Sequence, residues 1–188
     1  MINKLIEEIR KSLDNGCPFA ALSLSLVLID SCAKIEFPEL GNKKRYIAWY
    51  DKHLTEKLSD EEINNCRFHC IENIPEINGE TIYSLRCSVL HEGNPKIEEK
   101  YIPYFELLYQ ETDGARCTYY TVDYEGKINE NGRQKFIAKK MCINLRTFCE
   151  RICKTVEIFY KENSEKFNFN YNIVNMDYHT RKIFGIKK

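Results

Sequence analysis

The chain has 188 residues, of which 28 are basic and 28 are acidic, so its formal net charge is zero. Hydrophobic residues make up 43% and charged residues 30%, a composition that excludes a disordered chain and favours one folded domain with a sizeable core. Because a neutral chain has no overall attraction for nucleic acid, any RNA binding must come from a local patch.

Nine cysteines, an odd number, occur in a chain that opens on an amphipathic helical pattern rather than on a signal peptide. This usage predicts reduced thiols and a cytoplasmic location. The longest uncharged apolar run, about residues 16–29, is too short to cross a bilayer, so no membrane is expected.

Two helices are predicted in the first part of the chain. Apolar residues recur every three or four positions over 2–14, and Asn15-Gly16 ends that helix. Pro18 begins the next helix, over 18–36, since the missing N–H costs nothing in a first turn. This second helix is apolar almost all round, which predicts a place at the centre of a bundle.

Asp30 and Lys34 stand four residues apart on the second helix and are spaced to form an ion pair. The simplest interpretation is a structural pair at the helix end. The alternative is that Asp30 contributes a polar wall to an active cleft.

A third helix is predicted over 43–58, and its first turn is basic: Lys43, Lys44 and Arg45. Such a run is usually a solvated face, but it is also a candidate contact for an RNA backbone.

The following segment, 59–77, contains three residues of types that can bind zinc: Cys66, His69 and Cys70. Zinc needs four ligands, or three and a water, and no second cluster has ligand spacing, so ordinary side chains on a turn are favoured and no metal is predicted.

A short helix is predicted over 78–93. Asn78 can cap its first turn, Glu80 complements the positive end of the helix dipole, and Gly93 is a natural stop. One apolar stripe faces the core, formed by Ile82, Leu85 and Val89.

The helix over 78–93 also carries Arg86 and His91, five positions apart. Arginine offers a permanent, forked cation suited to phosphate, and histidine serves as an acid or a base. Five residues of α-helix turn through about 500°, which leaves the two side chains roughly 140° apart. The long arginine must therefore reach round the helix to meet the histidine.

Beyond residue 100, aromatic and β-branched stretches over 104–110, 116–124 and 136–143 predict three strands, with Asp113-Gly114 as the tighter turn and 125–134 as a longer connection. We expect them to form a small antiparallel β meander.

Asn144 is spaced to cap a last long helix over 145–162. On it, Cys149 and Cys153 are interpreted as buried thiols, with a redox pair as the alternative. The tail 164–188 is expected to pack as an extended edge or to stay partly mobile.

The segment Arg86-Cys-Ser-Val-Leu-His91 fits the R-x4–6-H motif of the HEPN superfamily, all-helical proteins that include many RNA-cleaving toxins and antiviral effectors. The wider phrase 83–93 resembles the helix ending of small bacterial members, and 20–30 is similar to their first core helix. The resemblance covers residues 1–95. It implies a mainly α fold and a single HEPN-like domain over 1–188. The helical core of this domain would lie in 1–95 and 144–163, and the meander would be inserted at about 103–143.

The resemblance implies a metal-independent endoribonuclease of toxin or antiviral-defence type, with no cofactor. Arg86 would stabilise charge on the phosphate, and His91 would act as general base or acid. Tyr83 and Ser84 would orient phosphate or water. The site would lie in the cleft of a homodimer formed through the Arg86–His91 helix, and a cognate antitoxin or other protein partner is possible.

Two other functions are compatible with the same residues. The first is a non-catalytic HEPN-like module that binds a nucleotide, RNA or a protein, favoured by the neutral charge and by Cys87, which stands where such motifs usually carry a polar residue. The second is purely structural: the Arg–His pair stabilises a helix end. In that case Arg86 should lie buried against a carboxylate such as Asp30, away from any cleft.

Overall fold

The computed structural model describes residues 2–55, 77–97, 105–109, 120–128 and 134–167. Within these ranges the protein is mainly α-helical, as predicted. The described residues contain five α-helices: α1 (Ile2–Asp14), α2 (Pro18–Glu36), α3 (Asn42–His53), α4 (Gly79–Cys87) and α5 (Leu145–Asn163). Three strands are also described, and all of them precede α5: β1 (Phe105–Leu108), β2 (Tyr120–Ile128) and β3 (Gln134–Asn144).

Helix α2 is the centre of the bundle, as its sequence predicts. It begins at Pro18 and contacts α1, α3 and α5. α1 turns one apolar stripe towards it, so that Ile2, Ile6, Ile9 and Leu13 are all buried. Burial of such stripes from several sides supplies most of the free energy that holds a bundle together.

Helix α2 is also long and apolar enough to cross a membrane when judged by length and composition alone. The uncharged run over residues 16–29 is shorter than this helix, which continues through charged residues to Glu36. In the structure α2 packs against three other helices, which is the arrangement of a core helix. The cytoplasmic location stays a prediction.

Helix α3 ends at His53, earlier than the predicted residue 58. The N–H groups of both Leu54 and Thr55 bond to the carbonyl of Tyr50, and Thr55 also donates its hydroxyl to Asp51. These bonds close the last turn and lead the chain away from the helix axis. The apolar spacing that suggested a longer helix does not report such a closure.

Glu36, the last residue of α2, ties this helix to the end of α3. His53 Nε2 lies 2.7 Å from one carboxylate oxygen and Lys52 pairs with the other. Burial alone would raise the pKa of Glu36, but the hydrogen bonds from Lys52 and His53 lower it below its usual 4.5. The contribution of the Glu36 carboxylate to the free energy of unfolding is therefore complete above pH 4.5. It is lost as the pH falls through the lowered pKa of Glu36 in the folded state.

We expect Glu36→Gln to lower the free energy of unfolding by about 1–3 kcal/mol near neutral pH, the usual value of a hydrogen bond to a charged group. The difference from the wild type should shrink as the pH falls below 4.5, because the wild-type carboxylate then becomes neutral as well. Urea titrations at several pH values measure this. The exposed Glu39→Gln is the matched control, and a difference that does not change with pH would contradict the assignment.

The small sheet is not the antiparallel meander that the sequence predicts. The strand order is β1-β3-β2, with β3 in the middle. β2 and β3 are antiparallel, but β1 runs parallel to β3, with Phe105 opposite Met141. Composition identifies strands, yet it carries no information about which neighbours pair or in which direction.

The predicted boundaries within the sheet also change. β2 continues to Ile128 and β3 begins at Gln134, so much of the connection predicted over 125–134 is strand. The register shifts between Asp123 and Tyr124, as in a β-bulge. The turn predicted at Asp113-Gly114, the zinc candidates in 59–77 and the tail beyond residue 167 lie outside the described residues.

Helix α5 agrees with its prediction. The side chain of Asn144 accepts a hydrogen bond from the Thr147 N–H at 3.0 Å, as an N-cap does. Cys149 and Cys153 are buried, and burial raises the pKa of each thiol to about 12. Thiols that stay protonated are poor nucleophiles, so the prediction of buried core cysteines is confirmed.

Candidate functional site

Helix α4, which carries Arg86, is fixed at its first turn by two capping contacts. Asn78 Oδ1 accepts from the Thr81 N–H at 3.0 Å, as predicted. Asp51 of α3 accepts from the Gly79 N–H at 2.6 Å. The helix backbones are close at this point: a Cβ on Gly79 would lie 2.6 Å from the carbonyl oxygen of Ile47. The start of α4 is therefore held against α3 at a glycine.

The helix predicted over 78–93 is not α-helical throughout. The α-helix ends at Cys87, and Ser88–Glu92 forms a π-helical turn, which we call the π turn. The Ser88 carbonyl accepts from the N–H of Gly93, five residues on, and from that of Asn94. Gly93 has a φ of 64°, so it ends the helix in the left-handed region, as predicted.

Arg86 and His91 are in direct contact. Arg86 Nη1 lies 3.3 Å from His91 Nε2. Since a guanidinium can only donate, this contact requires Nε2 to be an acceptor, with the ring proton on Nδ1. The Arg86 side chain is 17% exposed, and His91 is exposed. An imidazole lone pair and a guanidinium edge therefore lie side by side close to solvent.

Asp30 of α2 holds the guanidinium from the opposite side. Its Oδ2 accepts from Arg86 Nε at 2.9 Å and from Nη2 at 2.6 Å. Burial alone would lower the pKa of Arg86, but the bonds and charge of Asp30 raise it. The carboxylate pairs with Arg86 rather than with Lys34, which is exposed. The predicted Asp30–Lys34 pair is therefore wrong, because a forked cation from α4 occupies the same carboxylate.

Two tyrosines and a cysteine surround the Asp30–Arg86 pair. The rings of Tyr46 and Tyr83 meet edge to face, with centroids 5.5 Å apart, and Arg86 Cζ lies 5.7 Å from the Tyr83 ring centre. Burial, together with Cys87, raises the pKa of Tyr83. Burial, with the charge of Asp30, raises the pKa of Tyr46 well above 10.0. Both phenols stay protonated at neutral pH, so neither is a base.

Sequence reasoning missed Tyr46. Its side chain is fully buried, and its hydroxyl has no hydrogen-bond partner within the described ranges. In the sequence Tyr46 is one of several aromatic residues of the third helix, and none of them signals proximity to a polar pair. Only the packing of α3 against α4 reveals it.

The other predicted site residues take different places. Ser84 is buried, with 7% exposure, so it lies on the core side of α4. Lys43 pairs with Glu80 at 3.2 Å, and its Nζ lies 5.9 Å from the centre of the Tyr83 ring, which Arg86 also approaches. Lys44 is exposed, and the Nε of Arg45 is buried without a partner in the described part of the chain.

The arrangement combines an acceptor nitrogen with a cation that is held in place and can only donate. Such a pair can take a proton from a hydroxyl and stabilise negative charge on the adjacent phosphate. The Asp30 contact matches one feature of the structural alternative, and the exposed His91 matches a site. No protein-family model, curated protein or solved structure gives a significant match to this chain.

Proposed function

We propose that the protein is a metal-independent endoribonuclease of toxin or antiviral-defence type, with Arg86 and His91 as its catalytic residues. The observation that carries the proposal is the 3.3 Å contact between Arg86 Nη1 and His91 Nε2 beside solvent. The resemblance of the segment 86–91 to the HEPN motif supports it. Within the motif, one side chain supplies the base and the other the fixed charge.

RNA brings its own nucleophile, the 2′-OH, so the protein has to move protons and stabilise charge. When Arg86 Nη1 turns its N–H from His91 to a phosphate oxygen, the Nε2 lone pair is free to remove the 2′-OH proton, and the 2′-oxygen attacks the adjacent phosphorus. Arg86 donates to the phosphate oxygens as negative charge accumulates on them. The 5′-oxygen leaves with a proton from an acid, for which His91 of a second copy is our candidate. The products are a 2′,3′-cyclic phosphate and a 5′-hydroxyl.

Asp30 is a positioning residue in this proposal. It anchors Nε and Nη2 of Arg86 to α2, while the Nη1 edge points to His91. Because Asp30 bonds to both Nε and Nη2, the guanidinium is already held at two of its three nitrogens when the phosphate arrives. Pre-organised donors are worth more than mobile ones, since no reorganisation is needed in the transition state.

One observation favours a second candidate, a non-catalytic module that binds RNA or a nucleotide. Asp30 offsets the charge of Arg86, which weakens the stabilisation available to a transition state. A module of this kind would hold RNA through the remaining donors without cleaving it. Its binding should be lost on removal of the Arg86 side chain.

The active form in this proposal is a homodimer formed around α4 and the π turn, because a single Arg–His pair leaves the leaving oxygen without an acid. Val27 of α2 is 38% exposed and stands three residues before Asp30, so the α2 surface one turn before this carboxylate carries an exposed apolar side chain. A partner copy covering this surface would also exclude water from the reacting phosphate.

We expect the purified protein to cleave single-stranded RNA, but not the DNA of the same sequence, in the presence of excess chelator. Mass spectrometry of the products should show 2′,3′-cyclic phosphate ends. The same preparation should sediment as a dimer at micromolar concentration. Tight RNA binding without cleavage would support the second candidate, and a protein that neither binds nor cleaves RNA would overturn both.

A further inference from the structure

The spacing of Arg86 and His91 is not one at which side chains meet on an α-helix. Residues five apart on an α-helix are separated by roughly 140° around the axis, whereas residues four apart are separated by about 40°. Yet Arg86 Nη1 and His91 Nε2 are 3.3 Å apart. The backbone between them departs from α-helical geometry.

The π turn provides that departure. In a π-helix each carbonyl bonds to an N–H five residues on, so each turn holds one more residue than an α-helical turn. Here the Ser88 carbonyl accepts from the Gly93 N–H, five residues on. A residue at position i+5 then takes the place that i+4 takes in an α-helix. His91 is thereby brought round to the side of Arg86.

The extra residue is held in the turn by buried residues on both sides. Val89 is 3% exposed and belongs to the core, as do Leu85 in α4 and Ile97 beyond the turn. Because both flanks are packed, the turn cannot become α-helical unless one flank leaves the core. Gly93, in the left-handed region, redirects the chain immediately after the turn.

We propose that the π turn positions His91 beside Arg86. The turn holds one extra residue, so two side chains five residues apart face each other as residues four apart do on an α-helix. The catalytic part of this inference rests on the proposed function, but the geometric part does not. Leu90, which is half-buried immediately before His91, is the residue whose removal tests it.

Two variants separate register from spacing. Deletion of Leu90 shortens the turn to α-helical length and places the histidine four residues after Arg86, so the contact should be kept. Deletion of Glu92 shortens the turn equally but keeps the spacing of five, so the contact should be lost.

The contact itself is measured by the ring ¹⁵N shift of the histidine and by whether Arg86→Lys changes that shift. This coupling is expected in the wild type and in the Leu90 deletion, and is expected to vanish in the Glu92 deletion. Cleavage of RNA should follow the same order: within about tenfold of wild type for the Leu90 deletion, and about 100-fold lower for the Glu92 deletion, the usual cost of a misplaced catalytic group.

The outcomes distinguish the two proposals. If the wild type cleaves no RNA but the shifts follow the expected order, the endoribonuclease proposal fails and the register inference stands. A Glu92 deletion that keeps the ¹⁵N coupling and full activity would overturn the register inference, because it would show that the contact does not need the extra residue in the turn. If the Leu90 deletion does not fold, the Glu92 deletion still decides the question.

Discussion

Replacing His91 with alanine is expected to lower the rate of RNA cleavage by about 10²–10⁴-fold, which is the usual contribution of a positioned acid or base. The imidazole is the group in the Arg86–His91 pair that can accept a proton, since the guanidinium only donates. The substitution should leave the fold intact, because the His91 side chain is exposed and its one described contact is with Arg86.

The comparison with an adjacent residue makes this test specific. Glu92 is an exposed neighbour in the same π turn, and it pairs with Lys96 rather than with Arg86. Glu92→Gln should therefore cleave RNA at close to the wild-type rate. Initial rates with a fluorogenic RNA in excess chelator, together with thermal unfolding of each variant, measure both effects. Wild-type cleavage by His91→Ala would remove His91 from the mechanism.

Arg86 needs a more cautious substitution than His91. Its guanidinium neutralises Asp30, whose side chain is only 21% exposed. Truncation to alanine would leave that carboxylate partly buried without its partner, so a loss of activity would be confounded with a loss of stability. Arg86→Lys keeps the charge but not the fork, and therefore probes the two-sided contact with less damage to the fold.

Replacing Gly79 with alanine is expected to lower the free energy of unfolding by about 1–3 kcal/mol, as overpacking does in other well-packed cores. The added Cβ would lie 2.6 Å from the Ile47 carbonyl oxygen and 2.7 Å from the Ile47 Cα. Both atoms belong to the backbone of α3, so no side-chain rotation relieves the clash. The helices must separate instead.

Separation of α3 from α4 in Gly79→Ala should also change the position of Arg86. Gly79 donates its N–H to Asp51, and Arg86 lies seven residues after this anchor on the same helix. We therefore expect Gly79→Ala to weaken the Asp30–Arg86 contact and to reduce cleavage as well as stability. Denaturant titrations give the free energy, and the histidine ¹⁵N shift reports the geometry of the pair.

Gly41 provides the matched control. It precedes α3 at an ordinary φ of −65°, and a Cβ there would meet nothing within 4 Å. Gly41→Ala should cost under about 1 kcal/mol, the range for a change at a helix N-cap. Equal losses at Gly41 and Gly79 would mean that the close approach of α3 and α4 is not what constrains residue 79.

The candidate site depends on three helices, each of which supplies a different kind of support. α2 contributes the carboxylate of Asp30, α4 and the π turn contribute Arg86 and His91, and α3 packs Tyr46 against the same group. The charge pair thus lies between the central helix and the helix that bears the motif. This arrangement explains why the pair is partly buried on one side and open to solvent on the other.

The residues next to each helix start were sufficient to predict where α2, α4 and α5 begin. Pro18 begins α2 because it lacks an N–H, and Asn78 and Asn144 cap α4 and α5 with their own side chains. The apolar stripe of α5 and the identity of Arg86 and His91 as a candidate pair were also readable. Each of these features depends on residues within one or two turns of each other.

The tertiary structure decided the features that join distant parts of the chain. Asp30 and Arg86 are 56 residues apart in sequence, and the parallel pairing of β1 with β3 bypasses β2. The π turn lies between residues that are buried in the core, Leu85 before it and Ile97 after it, and no residue type within the turn predicts this geometry. Spacing alone set Arg86 and His91 on different sides of a helix, and packing brought them together.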